Sequence, residues 1–81
     1  MQQTITVEVR IEEDETDTLV HAVLNLRGDC FEATGRARRN PHDRPMPLVG
    51  EELATARALS SLALQVMESA QVKIEDFLQA V

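Results

Sequence analysis

Residues 35–63 read GRARRNPHDRPMPLVGEELATARALSSLA. An arginine-rich strand end passes into a loop with three prolines, and a helix follows. Pro41, Pro45 and Pro47 remove backbone donors and restrict the residues before them, so regular structure is not expected across residues 40–47. The helix is expected to open at Gly50 as N-cap, with Glu51 and Glu52 near the positive end of its dipole. No Gly or Pro follows Gly50. The helix can therefore run to the end of the sequence, roughly 30 residues or about 45 Å. Strands of eight or nine residues reach only about 28 Å. The last turns must then project past any sheet, or the helix must break near residues 69–71.

Upstream of residue 35 the pattern has period two. Strand one is expected over residues 4–12, with Ile5, Val7, Val9 and Ile11 on one face and Thr6, Glu8, Arg10 and Glu12 on the other. The acidic run of residues 13–17 reads as a solvated loop. Strand two, over residues 18–27, places Val20, Ala22, Leu24 and Leu26 together. Strand three, over residues 30–38, places Phe31, Ala33, Gly35 and Ala37 together. Gly28-Asp29 suits a type II′ turn with glycine first. That turn pairs Leu26 with Phe31, Leu24 with Ala33, Ala22 with Gly35 and Val20 with Ala37. A meander puts Ile11 opposite Val20 and Val9 opposite Ala22, and lines up Arg10, His21 and Arg36 across the other face. The expected fold class is α+β: a three-stranded antiparallel meander and one long C-terminal helix, in a single domain over residues 1–81.

Composition narrows the function classes. The 81 residues are 43% hydrophobic, with two Phe and no Tyr or Trp. Such a chain supports one sheet face and one helix around an aliphatic core, with no room for a deep substrate cleft. The single Cys30 excludes an internal disulfide framework and a multi-cysteine zinc site, and fits a reducing, cytoplasmic setting. No apolar run approaches the roughly 20 residues needed to cross a bilayer. Net charge is −6, but Arg36, Arg38, Arg39 and Arg44 cluster in residues 33–47 against Asp43 alone. Any positive patch is local and opposed by an acidic field.

Leu53, Ala56, Leu59, Ala63, Val66, Ala70, Ile74, Phe77 and Val81 recur at steps of three and four. Leu62, Leu64, Met67 and Leu78 widen this apolar arc to about 200°, at about 100° per residue. One sheet face asks for little more than a 100° stripe. The surplus predicts a homodimer, with Leu62, Val66, Ile74, Phe77 and Leu78 as interface candidates.

The wording Gly35-x-Ala37-Arg38, then Asn40-Pro41-x-Asp43-x-Pro45, then Gly50-Glu51-Glu52-Leu53-Ala54-x-Ala56-Arg57-Ala58-Leu59-Ser60-x-Leu62-Ala63 resembles a known family. It is a group of small actinobacterial proteins of unknown function, described as double-stranded-RNA-binding-domain-like (dsRBD-like), with mycobacterial dormancy-associated members. The resemblance implies a dimeric β-β-β-α fold and likeness to ribosome hibernation factors. It brings no established activity and no proven functional residues.

Arg36, Arg38, Arg39 and Arg44, with Arg10, are the candidate RNA-binding side chains, contacting phosphates of ribosomal or other structured RNA. The competing reading is a solvated edge that neutralises the acidic loop. No aromatic residue lies among them, so base stacking is not on offer. Asn40, Pro41, Asp43, Pro45, Gly50 and Arg57 form the structural loop and helix anchor. Arg57 has no acid three or four residues away and is expected to bond Asp43 or a carbonyl of the proline loop. His21 between two arginines is a candidate pH-sensitive group. Cys30, expected opposite Arg27, reads as an incidental thiol.

These readings predict a non-enzymatic homodimer acting on the ribosome or structured RNA in dormancy or stress. The alternative is a protein-interaction adaptor with an acidic surface and no nucleic-acid binding. No cofactor, metal, small-molecule substrate, DNA or membrane partner is expected.

Overall fold

The computed structural model describes residues 1–80; Val81, which ends the expected apolar series, lies outside the described residues. Three strands, β1 (Val7–Glu13), β2 (Asp17–Leu26) and β3 (Asp29–Arg38), are followed by one helix, α1 (Pro47–Gln79). The sheet is an antiparallel meander in the order β1-β2-β3. The expected β-β-β-α architecture is therefore the observed one. β1 starts three residues later than expected.

The β1–β2 register matches the expectation, with Ile11 opposite Val20, Val9 opposite Ala22 and Arg10 opposite His21. The β2–β3 register does not. Leu24 faces Phe31, Ala22 faces Ala33, Val20 faces Gly35 and Thr18 faces Ala37. The tight turn is Arg27-Gly28, with φ of 50° and 90° at its two central residues. Two positive φ values in a two-residue loop are the mark of type I′, whose twist matches that of the strands; glycine sits second, not first. The error is two residues. Alternation of side chains has period two, so a slip of two keeps every residue on its face, and the apolar pattern alone cannot detect it.

The same shift dissolves the expected row across the open face. His21 lies beside Arg10 and Thr34, while Arg36 faces Leu19. Cys30 is exposed and faces Asn25, not Arg27. Neither the histidine between two arginines nor the Arg27–Cys30 pair exists.

α1 begins at Pro47 and not at Gly50; Met46 occupies the N-cap without a side-chain hydrogen bond. Proline at the first helical position costs nothing, because its missing N–H would have had no partner and its φ is already helical. Pro47 thus starts the helix it was expected to delay. Gly50 falls in the first turn, where a Cβ would lie 3.0 Å from Thr18 Oγ1. Glu51 and Glu52 consequently sit beyond the first turn. The helix is continuous through residues 69–71, and its 33 residues span about 50 Å.

The core is small: Val20, Ala22, Ala33, Ala37, Ala54, Ala58 and Leu62. α1 lies across β3 and β2 and leaves β1 outside its main footprint. Only Ala54, Ala58 and Leu62 of the helix are buried. Leu62 belongs to this internal core and is corrected from an interface candidate. Val66 is half-buried, and Ile74, Phe77 and Leu78 are exposed.

Gly35 sets the distance between the layers. A Cβ built on it would overlap the carbonyl oxygen of Ala54 and the amide nitrogen of Ala58. Backbone here touches backbone, and no side chain fits between. Gly35→Ala is expected to destabilise the fold by about 3 kcal/mol, the upper range for overpacking. Urea unfolding reads this as a lower midpoint at unchanged slope.

A candidate functional site at the arginine-bound loops

The β1–β2 loop is ordered by Asp14. Its Oδ1 accepts the backbone N–H of Thr16 at 2.9 Å and of Asp17 at 2.8 Å. These two donors favour the ionised carboxyl and hold it below its usual range. The Asp14-x-Thr16-Asp17 spacing carried this signal, since Asp commonly bonds its own backbone two residues on.

Three of the candidate arginines converge on that loop. Arg36 donates through Nε at 3.2 Å and Nη2 at 3.0 Å to Asp17 Oδ1. Arg38 Nε stands 4.0 Å from the same oxygen. Arg39 donates through Nε to Glu15 O at 3.3 Å, and through Nη1 to Asp43 O at 2.6 Å. Its own N–H bonds Thr16 O at 2.8 Å. Arg39 therefore ties the acidic loop to the proline loop. Within one chain, then, Asp17 is the acid these arginines engage, while Arg39 bonds loop carbonyls.

The other candidates separate. Arg10 pairs loosely with Glu8, at 4.0 Å, on the open face of the sheet. Arg44 lines a cleft of about 320 Å³ with Arg38, Arg39, Asp43 and Pro45, above Met46, Val49 and Leu53. Asn40 Oδ1 accepts the His42 N–H at 3.1 Å and Asn40 O accepts the Asp43 N–H at 2.9 Å, closing the turn after Pro41. Arg57 does not reach Asp43 or a loop carbonyl. Its Nη1 donates to Arg36 O, on β3, at 2.7 Å. The helix starts a turn early, which carries Arg57 past the loop and alongside the strand.

Sequence reasoning also passed over two contacts further along α1. Gln65 Nε2 donates to Glu32 O at 2.7 Å, and Lys73 Nζ pairs with Asp29 Oδ2. No periodic signal marks them, because both are long side chains curling around the edge of a sheet.

Acids and arginines line the cleft together, among them Glu13, Asp14, Glu15, Arg38, Arg39 and Arg44. Neither His nor Cys lines it. Among the described residues no group of three or more His, Cys, Asp or Glu side chains gathers to hold a metal ion. Glu13 lies within hydrogen-bonding reach of Glu51, which raises the pKa of Glu13 by favouring its protonated form. Glu13 also lines the cleft, at its acidic wall beside Asp14 and Glu15.

The Rv2632c-like family model matches residues 3–80. The chain belongs to the Rv2632c-like family. It is 40% identical over 73 residues to the uncharacterized protein Rv2632c of Mycobacterium tuberculosis, covering 90% of this chain and 78% of that protein. It is also 40% identical over 70 residues to the uncharacterized protein Mb1767 of Mycobacterium bovis, covering 86% and 74%. The crystal structure of Rv2632c superposes with a TM-score of 0.87 at 38% identity, over 94% of this chain and 90% of that one. The family and its mycobacterial membership match the resemblance drawn from residues 35–63, and the β-β-β-α fold is shared.

Two outcomes test the loop assignment. Arg39→Ala is expected to release the proline loop and speed cleavage before Asp43 by an aspartate-directed endoproteinase about tenfold, followed by mass spectrometry under native conditions. Asp14→Ala is expected to lower the melting temperature at pH 7. Because the folded pKa of Asp14 is depressed, its stabilisation is present above the usual carboxylate range and is lost as pH falls through the folded value. The difference from wild type should therefore close in acid. Glu13, with its raised value, works in the opposite sense: the stability gained from its proton is present in acid and fades as pH rises.

Proposed function

We propose that the chain is a non-enzymatic interaction module that works as a homodimer and meets a further protein through its acidic surface. The observation that carries this is apolar surface without a cover. Val7, Val9 and Ile11 stand on the helix side of the sheet but beyond the helix, Ile5 is exposed just before β1, and Ile74, Phe77 and Leu78 project on α1. The radius of gyration is 16.6 Å, against about 12 Å for a compact chain of this length. A lone subunit of these dimensions leaves too little of its greasy surface inside.

The net charge of −6 suits a basic protein surface as the further partner. Among the described residues no helix is long and apolar enough to cross a membrane, and the lone exposed Cys30 suits a reducing cytoplasm. Neither feature calls for a cofactor.

A second reading keeps the dsRBD and hibernation-factor likeness: contact with ribosomal or other structured RNA in dormancy or stress. It is favoured by the exposure of Arg36 and Arg38, whose side chains are 63% and 74% accessible. It ranks second because Asp17 already engages Arg36, and because Glu8, Glu12 and Glu32 share that face.

In sedimentation equilibrium the wild type is expected to be dimeric at micromolar concentration; a monomer there removes the first reading. Ribosome co-sedimentation at about 100 mM salt is expected to show no retention. Salt-sensitive retention, abolished by reversing Arg36, Arg38 and Arg39, would promote the second reading in its place.

A further inference from the structure

A three-stranded sheet has two free edges, and this one treats them differently. At the Arg27-Gly28 turn, Leu26 and Asp29 form the closing bonded pair, so bonded and non-bonded pairs alternate from there. The backbone groups of Glu32, Thr34 and Arg36 then point outward from β3. Two of those carbonyls are occupied, Glu32 O by Gln65 and Arg36 O by Arg57, each at 2.7 Å. Helix side chains curl over this edge and blunt it.

The same alternation, carried across β2, bonds Glu8, Arg10 and Glu12 to Val23, His21 and Leu19. The outward groups of β1 are those of Val7, Val9 and Ile11. Among the described residues, no side-chain or loop hydrogen bond reaches them. Their side chains remain 38%, 37% and 45% exposed, because α1 stops short of β1. The uncovered edge and the uncovered apolar row therefore coincide.

We propose that β1 pairs antiparallel with β1 of a second copy, centred on Val9, to form one continuous six-stranded sheet. This rests on the homodimer reading above and names its contact. Charge selects the centre. With Val9 facing itself, Val7 faces Ile11 on the apolar side, and Glu8 of each copy faces Arg10 of the other on the open side. Centring on Glu8 or on Arg10 sets that residue against its own like charge. Centring on Ile11 pairs Arg10 with Glu12 but sets Glu8 against Asp14, and centring on Val7 leaves Glu8 and Arg10 facing threonines. Opposed charges across strands stabilise and like charges destabilise. Only the Val9 centre satisfies both copies of both residues.

The test is a charge-swap cycle read by sedimentation equilibrium. Glu8→Arg alone and Arg10→Glu alone each place like charges opposite one another twice, and each is expected to weaken the dimer by about tenfold. Glu8→Arg with Arg10→Glu restores the complement and is expected to return affinity to within about threefold of wild type. In the wild-type dimer the amides of Val7, Val9 and Ile11 should exchange slowly with solvent, as a hydrogen-bonded row does. This readout needs no variant to fold. A wild type that stays monomeric at micromolar concentration overturns the homodimer reading and this contact with it. A dimeric wild type whose three amides exchange freely, or whose single swaps dimerise as tightly as wild type, leaves the homodimer standing and overturns the β1 edge as its contact.

Discussion

The closest constraint in this fold is the contact of the α1 backbone with Gly35. Because a single methyl group at Gly35 would collide with Ala54 and Ala58, the two layers sit nearer than side-chain packing normally allows. Everything around the contact is correspondingly small. Ala33 and Ala37 flank it on β3, and Val20 is the largest fully buried side chain. A core built this way is thin, and its footprint is narrow. It covers β3 and β2 and cannot reach β1. The apolar row on β1 and the exposed outer helix are consequences of that close approach rather than separate oddities.

Much of this was legible beforehand. Alternation fixed the strand faces, and the short acidic connection between β1 and β2 narrowed their pairing to the observed register. The proline-to-helix passage gave the order of elements. Errors arose where a local rule had two solutions. A glycine in a two-residue loop serves type II′ in first place and type I′ in second, and the structure takes the latter with Arg27 in the left-handed region. A proline is both a breaker and a good opening residue, and Pro47 plays the second part. Leu62 sits within a wide apolar arc, and nothing in its spacing separated the buried side of that arc from the bare one.

The arginines show why charge clusters are poor guides to partners. Four cations within residues 33–47 look like a surface awaiting phosphate. In three dimensions Arg36 and Arg38 turn to Asp17, while Arg39 bonds the carbonyls of Glu15 and Asp43. Arginine's fork suits such stitching, since several donors in fixed directions can satisfy acceptors from two loops together. The acidic run at residues 13–17 would repel itself without them. What the sequence could not reveal was the fold's own claim on these side chains, which depends on a register two residues away from the expected one.

The Lys73–Asp29 pair marks the place where α1 leaves the sheet. Residues 74–79 continue as helix with only their own ladder beneath them, and a free helical tip of that size is marginal in water. Its turns are the part of α1 with the least tertiary support, and they open before the stretch over the sheet does.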